Sequence, residues 1–284
     1  MAMKIGVLID SYQLPFEEAL EKASQLRVDG IQMFTTKGRL AAWELDESAR
    51  KSLRTVIESK GLEVSALCGD LGGHGFELAK DNKEKIRKTE AIVELAVDLG
   101  ASAVTTHIGV VPPEKNDTYR TLLLALREIS SYAGMRGIKV AIETGPEPAL
   151  RLRSFLDDVG EEALGVNFDP ANLVMVQGTD PVEDFKLLRE FIVSTHAKDG
   201  RMVKKGDPVA IYGAFAEGAP DDFHVDDYFL ELPLGEGAVN FPRYIAALKA
   251  MNYEGYLTIE REAGNDRVGD IARGVNLLRE LLGR

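Results

Sequence analysis

Four ionisable side chains stand where apolar runs of the sequence end. Glu143 ends VAIE, Asp169 ends VNFD, His196 ends IVSTH and Glu260 ends LTIE. Three carboxylates held together at low dielectric repel one another unless positive charge lies between them. Two Glu, one Asp and one imidazole form a ligand set that Mn²⁺, Mg²⁺, Co²⁺ or Zn²⁺ accepts, and the lack of thiolate ligands argues against a structural zinc. We therefore predict one divalent metal ion at these side chains; ordinary ion-pairing roles at each strand end are the alternative.

The elements that must position these groups follow a regular alternation. Short apolar runs alternate with longer segments of helical period, which is typical of a parallel α/β fold. Eight strands are predicted, at residues 4–9, 30–35, 63–68, 103–108, 139–144, 164–169, 191–196 and 256–261. This count predicts a single (β/α)₈ TIM barrel over residues 1–284, in which the ends of strands five to eight meet at one face. An open doubly wound sheet is the alternative, weakened because neither GxGxxG nor GxxxxGKS/T occurs.

One interval departs from the alternation. Residues 200–235 separate the seventh strand from the next helix and are expected to form a long insertion loop at the face where the strands end. Long ordered loops often serve as lids or partner surfaces, and a solvated decoration is the alternative. Its acidic residues are expected to form a hydrated surface rather than a second metal site; they are Asp221, Asp222, Asp226, Asp227 and Glu231.

Three further residues beside strand ends are candidates for substrate contact. His107 follows the fourth strand and is expected to point into the mouth of the barrel, as a substrate ligand or an acid/base group. Lys198 and Arg201 follow His196 in HAKDGR, near the position where many barrels hold an anion. They would grip a phosphate or a sugar hydroxyl, unless they are ordinary surface cations.

Two loops supply the remaining candidates. Trp43, in TKGRLAAWEL, would close over a sugar ring or pack in the core. His74 lies on a glycine-rich loop, CGDLGGHGF, whose backbone freedom suits approach to a ligand; a solvent-exposed role is the alternative. The single cysteine, Cys68, ends an apolar run and is interpreted as a core residue rather than a nucleophile.

The composition of the chain limits the partners and the cellular compartment that we expect. The chain of 284 residues has a formal net charge of −12, which disfavours nucleic acid and anionic membrane surfaces as partners. Its apolar runs are strand-sized, and the first predicted strand begins at residue 4, so we expect no membrane span and no signal peptide. A lone cysteine agrees with a reducing compartment. We therefore expect a cytoplasmic protein.

The sequence resembles the xylose-isomerase-like TIM barrels, a superfamily of sugar and sugar-phosphate isomerases and epimerases, inosose dehydratases and apurinic endonucleases of the endonuclease IV group. The resemblance spans nearly the whole chain. Its carriers are KIGVLID, DGIQMF, AIETG at 141–145, NFDPANL at 167–173, THAKDG at 195–200 and the long stretch at 234–262. It implies that Glu143, Asp169, His196 and Glu260 bind one divalent metal, such as manganese, and that the protein forms dimers or tetramers.

The resemblance also implies a reaction. Metal coordination of a carbonyl and its neighbouring hydroxyl stabilises an enediolate, so that one of Glu143 and Glu260 removes a proton and the other returns one. The ketose 3-epimerases of this family place a substrate-contacting His three residues after the ligand Asp, where this chain has Asn172, which cannot carry charge. This departure weighs against ketose 3-epimerase activity specifically.

The expected function is therefore isomerisation or epimerisation of a small sugar or sugar phosphate. A lyase or dehydratase acting on a keto-sugar or inosose, including keto-glycoside cleavage, is the alternative, because it begins with the same proton removal. A DNA-repair endonuclease is disfavoured, since its multi-zinc cluster needs more histidines than the four in this chain. A non-catalytic binding barrel is disfavoured by the intact set of four ligands.

Overall fold

The computed structural model describes residues 3–218, 220 and 223–284. Eight parallel strands close into a barrel. The barrel strands are β1 Lys4–Leu8, β2 Gly30–Phe34, β3 Glu63–Cys68, β4 Ala103–Thr106, β5 Lys139–Glu143, β6 Leu164–Phe168, β7 Ile192–Ala197 and β10 Tyr256–Ile259. Their order around the ring is β1-β10-β7-β6-β5-β4-β3-β2. The predicted TIM barrel is confirmed, and the closed ring excludes the open doubly wound sheet.

Helices connect the strands and cover the outside of the barrel. They are α1 Phe16–Gln25, α2 Glu47–Ser59, α3 Ala79–Leu99, α4 Asp117–Met135, α5 Ala149–Val159, α6 Pro170–Asn172, α7 Pro181–Leu188, α8 Pro208–Glu217, α9 Phe241–Ala250 and α10 Arg267–Leu282. Several begin at a side chain that caps the first turn, as when Asp46 accepts a hydrogen bond from the N–H of Ala49. None of the helices in the described residues is both long and apolar enough to span a bilayer.

The strands are buried on both faces, as parallel strands under a ring of helices must be. Ile5, Val7, Ile31 and Met33 are at most 1% exposed and continue into one apolar core beneath the helices. Each predicted barrel strand is found, but several end one or two residues earlier than predicted. Thus Asp169 and Glu260 directly follow β6 and β10 instead of belonging to them.

The segment between β7 and α9 contains regular secondary structure in its described part and is not a continuous loop. Strands β8 Asp199–Met202 and β9 Phe229–Leu232 pair as an antiparallel ribbon, and α8 lies between them in the chain. Asp226 and Asp227 are exposed, as predicted, whereas Asp221 and Asp222 lie outside the described residues. The expectation of a hydrated surface is wrong for Glu231, whose side chain is 6% exposed and pairs with Arg261 at 2.7 Å.

Candidate metal centre

Four barrel strands that are neighbours in the ring bring the predicted ligands to one point. Glu143 is the last residue of β5, Asp169 and Glu260 follow β6 and β10, and His196 lies one residue before the end of β7. All four are buried, between 0 and 7% exposed. One potential ligand atom from each lies within 4.8 Å of those of the others. No second group of this kind occurs among the residues that the structure describes.

His196 faces the three carboxylates through Nδ1. This atom lies 3.2 Å from an oxygen of Glu260, 3.5 Å from Asp169 and 3.6 Å from Glu143. Burial opposes a charge on the ring, yet the carboxylates of Glu260 and Glu143 raise the pKa of His196 well above its usual range. The centre therefore strongly favours positive charge at this position.

Two buried polar atoms at this point lack hydrogen-bond partners. They are Oδ2 of Asp169 and Nδ1 of His196. The other oxygen of Asp169, Oδ1, accepts hydrogen bonds from the N–H groups of Ala171 and Asn172, which fixes the orientation of the carboxylate. Buried polar atoms are rarely left unpaired unless an ion or ligand completes them. The two orphaned atoms and the oxygen-rich donor set thus fit a divalent cation.

The opposite edge of the His196 ring is held from across the barrel. Nε2 lies 2.9 Å from Oε1 of Gln32 on β2, and Nε2 of Gln32 donates to Oγ1 of Thr105 at 2.7 Å. The amide nitrogen of Asn167 also lies 3.1 Å from Nε2 of His196, but it is a donor, so the acceptor at this edge of the ring is Gln32. An acceptor at Nε2 favours the tautomer that leaves the lone pair of Nδ1 free for a metal.

Neutral amides surround Glu143. Its carboxylate accepts hydrogen bonds from the side chains of Asn172 at 3.1 Å and Asn167 at 3.3 Å. Nε2 of His107 lies 3.8 Å away. Burial disfavours the ionised form, but the charges of His107 and His196 outweigh it and lower the pKa of Glu143.

Glu260 instead has a buried ammonium group beside it. Nζ of Lys198 lies 2.9 Å from Glu260 and 2.5 Å from Glu262, and Lys198 is 4% exposed. Against the cost of burial, Lys198 and His196 lower the pKa of Glu260 well below its usual range. Because carboxylates already hold Lys198, the expected grip on a phosphate has no support in the structure.

A cavity of about 760 Å³ opens above the centre. Glu143, His196 and Glu260 line it, together with the predicted substrate contacts His107 and Asn172. Nδ1 of His107 lies 3.2 Å from Asp70, which orients the ring toward Glu143. His74 lines the wall, with Nε2 2.8 Å from Glu217.

Two expected substrate residues lie elsewhere. Arg201 is exposed on β8 and is not among the described residues that line the cavity. Trp43 packs against the apolar core with Nζ of Lys88 over its ring, and it does not line the cavity either. The expectation for Arg201 rested on its position shortly after His196, near where many barrels hold an anion. In the structure, the chain after His196 turns into the antiparallel ribbon formed by β8 and β9, which carries Arg201 away from the cavity.

Four residues of the site were not expected from the sequence: Gln32, Asp70, Asn167 and Glu262. Gln32 and Asn167 are single amides inside the apolar runs GIQMF and LGVNF. Because an amide in a fully buried strand must find partners, its position was a usable signal. The other two lie in loops and left no such pattern. Cys68 is buried, as predicted, and burial raises the pKa of its thiol well above the usual range.

Comparison with known proteins agrees with this architecture. A family model for the xylose isomerase-like TIM barrel matches residues 20–281. The chain is 26% identical to the uncharacterized protein YfiH of Bacillus subtilis, over 92% of the chain and 93% of that protein. It is 22% identical to fructoselysine 3-epimerase of Shigella flexneri, over 91% and 90% of the two chains.

Solved structures share the fold over the whole chain. The xylose isomerase domain protein from Planctomyces limnophilus superposes with a TM-score of 0.78 at 25% identity, covering 99% of this chain and 96% of that one. The family model covers far more than half of the 284 residues. The chain therefore belongs to the xylose isomerase-like TIM barrel family.

Proposed function

We propose that this chain is a divalent-metal-dependent isomerase or epimerase of a small sugar, which moves a proton at the carbon beside a carbonyl group. The observation that carries the proposal is the pair Glu143 and Glu260, two carboxylates that reach the same buried point from different strands. The similarity to fructoselysine 3-epimerase supports an enzyme of this class.

Glu143, Asp169, His196 and Glu260 would hold the metal, and Mn²⁺, Mg²⁺, Co²⁺ and Zn²⁺ all suit this donor set. When bound, a divalent ion supplies a Lewis acid that polarises the substrate carbonyl and makes the neighbouring C–H more acidic. The unpaired Oδ2 of Asp169 and Nδ1 of His196 mark where this chain offers lone pairs for it.

The two glutamates would divide the proton transfer between them. The ammonium of Lys198 favours the ionised form of Glu260, which suits removal of a proton. Glu143 is bordered by amides and by His107, whose Nε2 at 3.8 Å could supply a proton for return to the other face of the carbon. Different neighbours thus give the two carboxylates different proton affinities, as such a reaction requires.

The remaining contacts would position the sugar. Nδ2 of Asn172 already donates to Glu143 and to the carbonyl of Thr144, so its Oδ1 is the atom that would accept from a sugar hydroxyl. His107 and His74 lie on the cavity wall within reach of other hydroxyls. Arg201 and Trp43 have no part in this proposal.

A lyase or dehydratase remains the second candidate. The pair His107 and Asp70 favours it, because an imidazole oriented by a carboxylate beside Glu143 could protonate a leaving group. Both reactions would start with the same removal of a proton.

Proton NMR of candidate ketoses in D₂O with the Mn²⁺-loaded protein separates the two. Exchange of the C–H beside the carbonyl without elimination supports the isomerase or epimerase, and release of a leaving group supports the lyase. Glu143→Gln and Glu260→Gln should each abolish exchange, whereas the exposed Glu128→Gln should not. A purified protein that binds no divalent metal by elemental analysis, and is not stabilised thermally by Mn²⁺ or Zn²⁺, would overturn the proposal.

A further inference from the structure

The cavity above the metal centre is lined by carboxylates well beyond the ligands themselves. They are Asp70, Glu77, Glu217, Asp226, Glu231 and Glu262. Among the described lining residues, Lys198 is the only lysine or arginine, and it is held by Glu260 and Glu262. A phosphate or carboxylate entering this cavity would meet these carboxylates, and no lysine or arginine of the described lining is free to receive it; the imidazole of His107 already faces Asp70 and Glu143.

Backbone N–H groups at the mouth of the cavity already donate hydrogen bonds within the protein. Exposed N–H groups on loops are common binding sites for phosphate. Here the N–H of Gly72 donates to Asp70 at 2.8 Å, and that of Val110 donates to Glu77 at 2.7 Å. The chain's own carboxylates therefore occupy donors that an anionic substrate would need.

TIM-barrel enzymes frequently bind phosphate at the loops after the last two strands of the barrel. In the loop after β7, the backbone N–H groups are occupied in the same way. The carboxylate of Asp199 accepts hydrogen bonds of 2.8 to 3.0 Å from four backbone N–H groups. The donors are Gly200, Gly235, Gly237 and Val239. Asp199 is 1% exposed, so these four N–H groups are not available to a bound anion.

The outer wall of the cavity is apolar. Helix α8 lines it with Val209, Tyr212 and Phe215, and Val225 and Phe229 extend the surface. Val209 and Phe215 are 60% and 62% exposed although they border a concave site. The volume of about 760 Å³ falls in the upper part of the range for small-molecule sites, about 300–1,000 Å³, so the cavity has room for a substituent beside the sugar.

We propose that the substrate carries no phosphate or carboxylate and bears an apolar substituent on the sugar, which packs against α8 while the ketose end reaches the metal centre. This inference rests on the proposed function for the reacting end. It departs from the expectation of a sugar phosphate, because the cations that would bind phosphate are either paired or outside the cavity.

Binding to the Mn²⁺-loaded protein tests the inference without depending on turnover. D-fructose, D-tagatose and D-psicose are each titrated by calorimetry as the free sugar, the 6-phosphate and the 6-O-benzyl ether. We expect the benzyl ether of at least one ketose to bind about tenfold more tightly than the free sugar, and the phosphate more weakly than either. Tighter binding of the phosphate, no gain from the benzyl group, or no binding by any of the compounds overturns the inference.

A matched pair of variants locates the apolar contact. Phe215→Ser should reduce the preference for the benzyl ether over the free sugar about tenfold. Leu124→Ser removes a residue of similar exposure, 65%, on α4 and should leave this preference unchanged. Benzyl preference without C–H exchange in D₂O would support the inference and contradict the proposed function, whereas exchange without benzyl preference would do the reverse.

Discussion

Oε1 of Gln32 lies 2.9 Å from Nε2 of His196, so an amide on β2 orients a candidate metal ligand on β7 across the barrel. Gln32 is itself fixed by its hydrogen bond to Thr105 and is 2% exposed. The contact leaves Nδ1 of His196 facing the three carboxylates. An outer residue of this kind typically contributes 10- to 100-fold to the affinity for a metal.

Replacement of Gln32 tests this relationship directly. Gln32→Leu should weaken Mn²⁺ binding about 10- to 100-fold, measured by calorimetry, because Nε2 loses its acceptor and the ring loses its preferred tautomer. Gln32→Glu keeps an acceptor and should restore most of the affinity. Gln25→Leu, at an exposed position, is the control. Equal Mn²⁺ affinity in Gln32→Leu and the wild type would show that Gln32 has no positioning role.

Asp169→Asn distinguishes the contribution of Asp169 to metal binding from its contribution to the stability of the fold. Asparagine retains an oxygen for the N–H groups of Ala171 and Asn172 but removes a negative charge from the centre. Burial raises the pKa of Asp169, so the metal-free variant should unfold at a temperature equal to or higher than that of the wild type. Its Mn²⁺-induced thermal stabilisation should disappear. Persistence of the full stabilisation would exclude Asp169 as a ligand.

Lys198→Met should destabilise the metal-free protein by about 3 kcal/mol, because Glu260, a buried carboxylate, would lose the ammonium group that lies 2.9 Å from it. Urea unfolding measures the loss. Lys186→Met breaks an exposed pair with Glu183 and should cost less than about 1 kcal/mol. The double variant Lys198→Met with Glu260→Gln should recover most of the stability; a simple sum of the two single effects would contradict the pairing.

The stability of the folded protein should depend on pH through Glu147, which is not one of the four candidate metal ligands. Burial raises the pKa of Glu147 to about 7, and its carboxylate accepts from the N–H of Val111 at 3.1 Å. Since the unfolded chain ionises near 4.5, the protonated form contributes stability below that pH, which is lost as the pH rises through about 7. The loss should be about 3 kcal/mol.

Glu147→Gln should remove this loss, so the variant should be less sensitive than the wild type to a change from pH 4.5 to pH 7.5 in urea unfolding. Glu128→Gln, at an exposed position, should follow the wild type. Parallel curves for Glu147→Gln and the wild type would mean that Glu147 ionises normally in the folded protein.

The strand ends were predictable because one local rule governs them. A polar residue that closes an apolar run in a parallel barrel must face the site, and the rule located Glu143, Asp169, His196 and Glu260 without knowledge of any contact. Lys198 obeys the same rule, but its partner Glu262 comes from another strand end 64 residues away, so its pairing could not be read locally.

The ribbon formed by β8 and β9 contains an ion pair that could not be predicted from the sequence. Glu231 reads as one of several acids in a polar stretch, yet it pairs with Arg261, 30 residues farther along. Arg261 pairs with Glu231 at 2.7 Å and with Asp270 at 2.9 Å, and all three side chains are buried. Burial of a charge depends on such distant partners, and composition within a segment does not reveal them.

Asp199 also has a consequence for engineering. Its carboxylate binds N–H groups at both ends of the segment that contains α8, since Gly200 precedes the segment and Gly235, Gly237 and Val239 follow it. One carboxylate therefore holds the two ends of the segment close together on the barrel. Segments whose ends lie close together are the ones that proteins exchange or insert most readily. We expect this segment to behave as a cassette: a replacement that keeps Glu231, the partner of Arg261, would change the outer wall of the cavity while the strand ends that carry Glu143, Asp169, His196 and Glu260 keep their geometry.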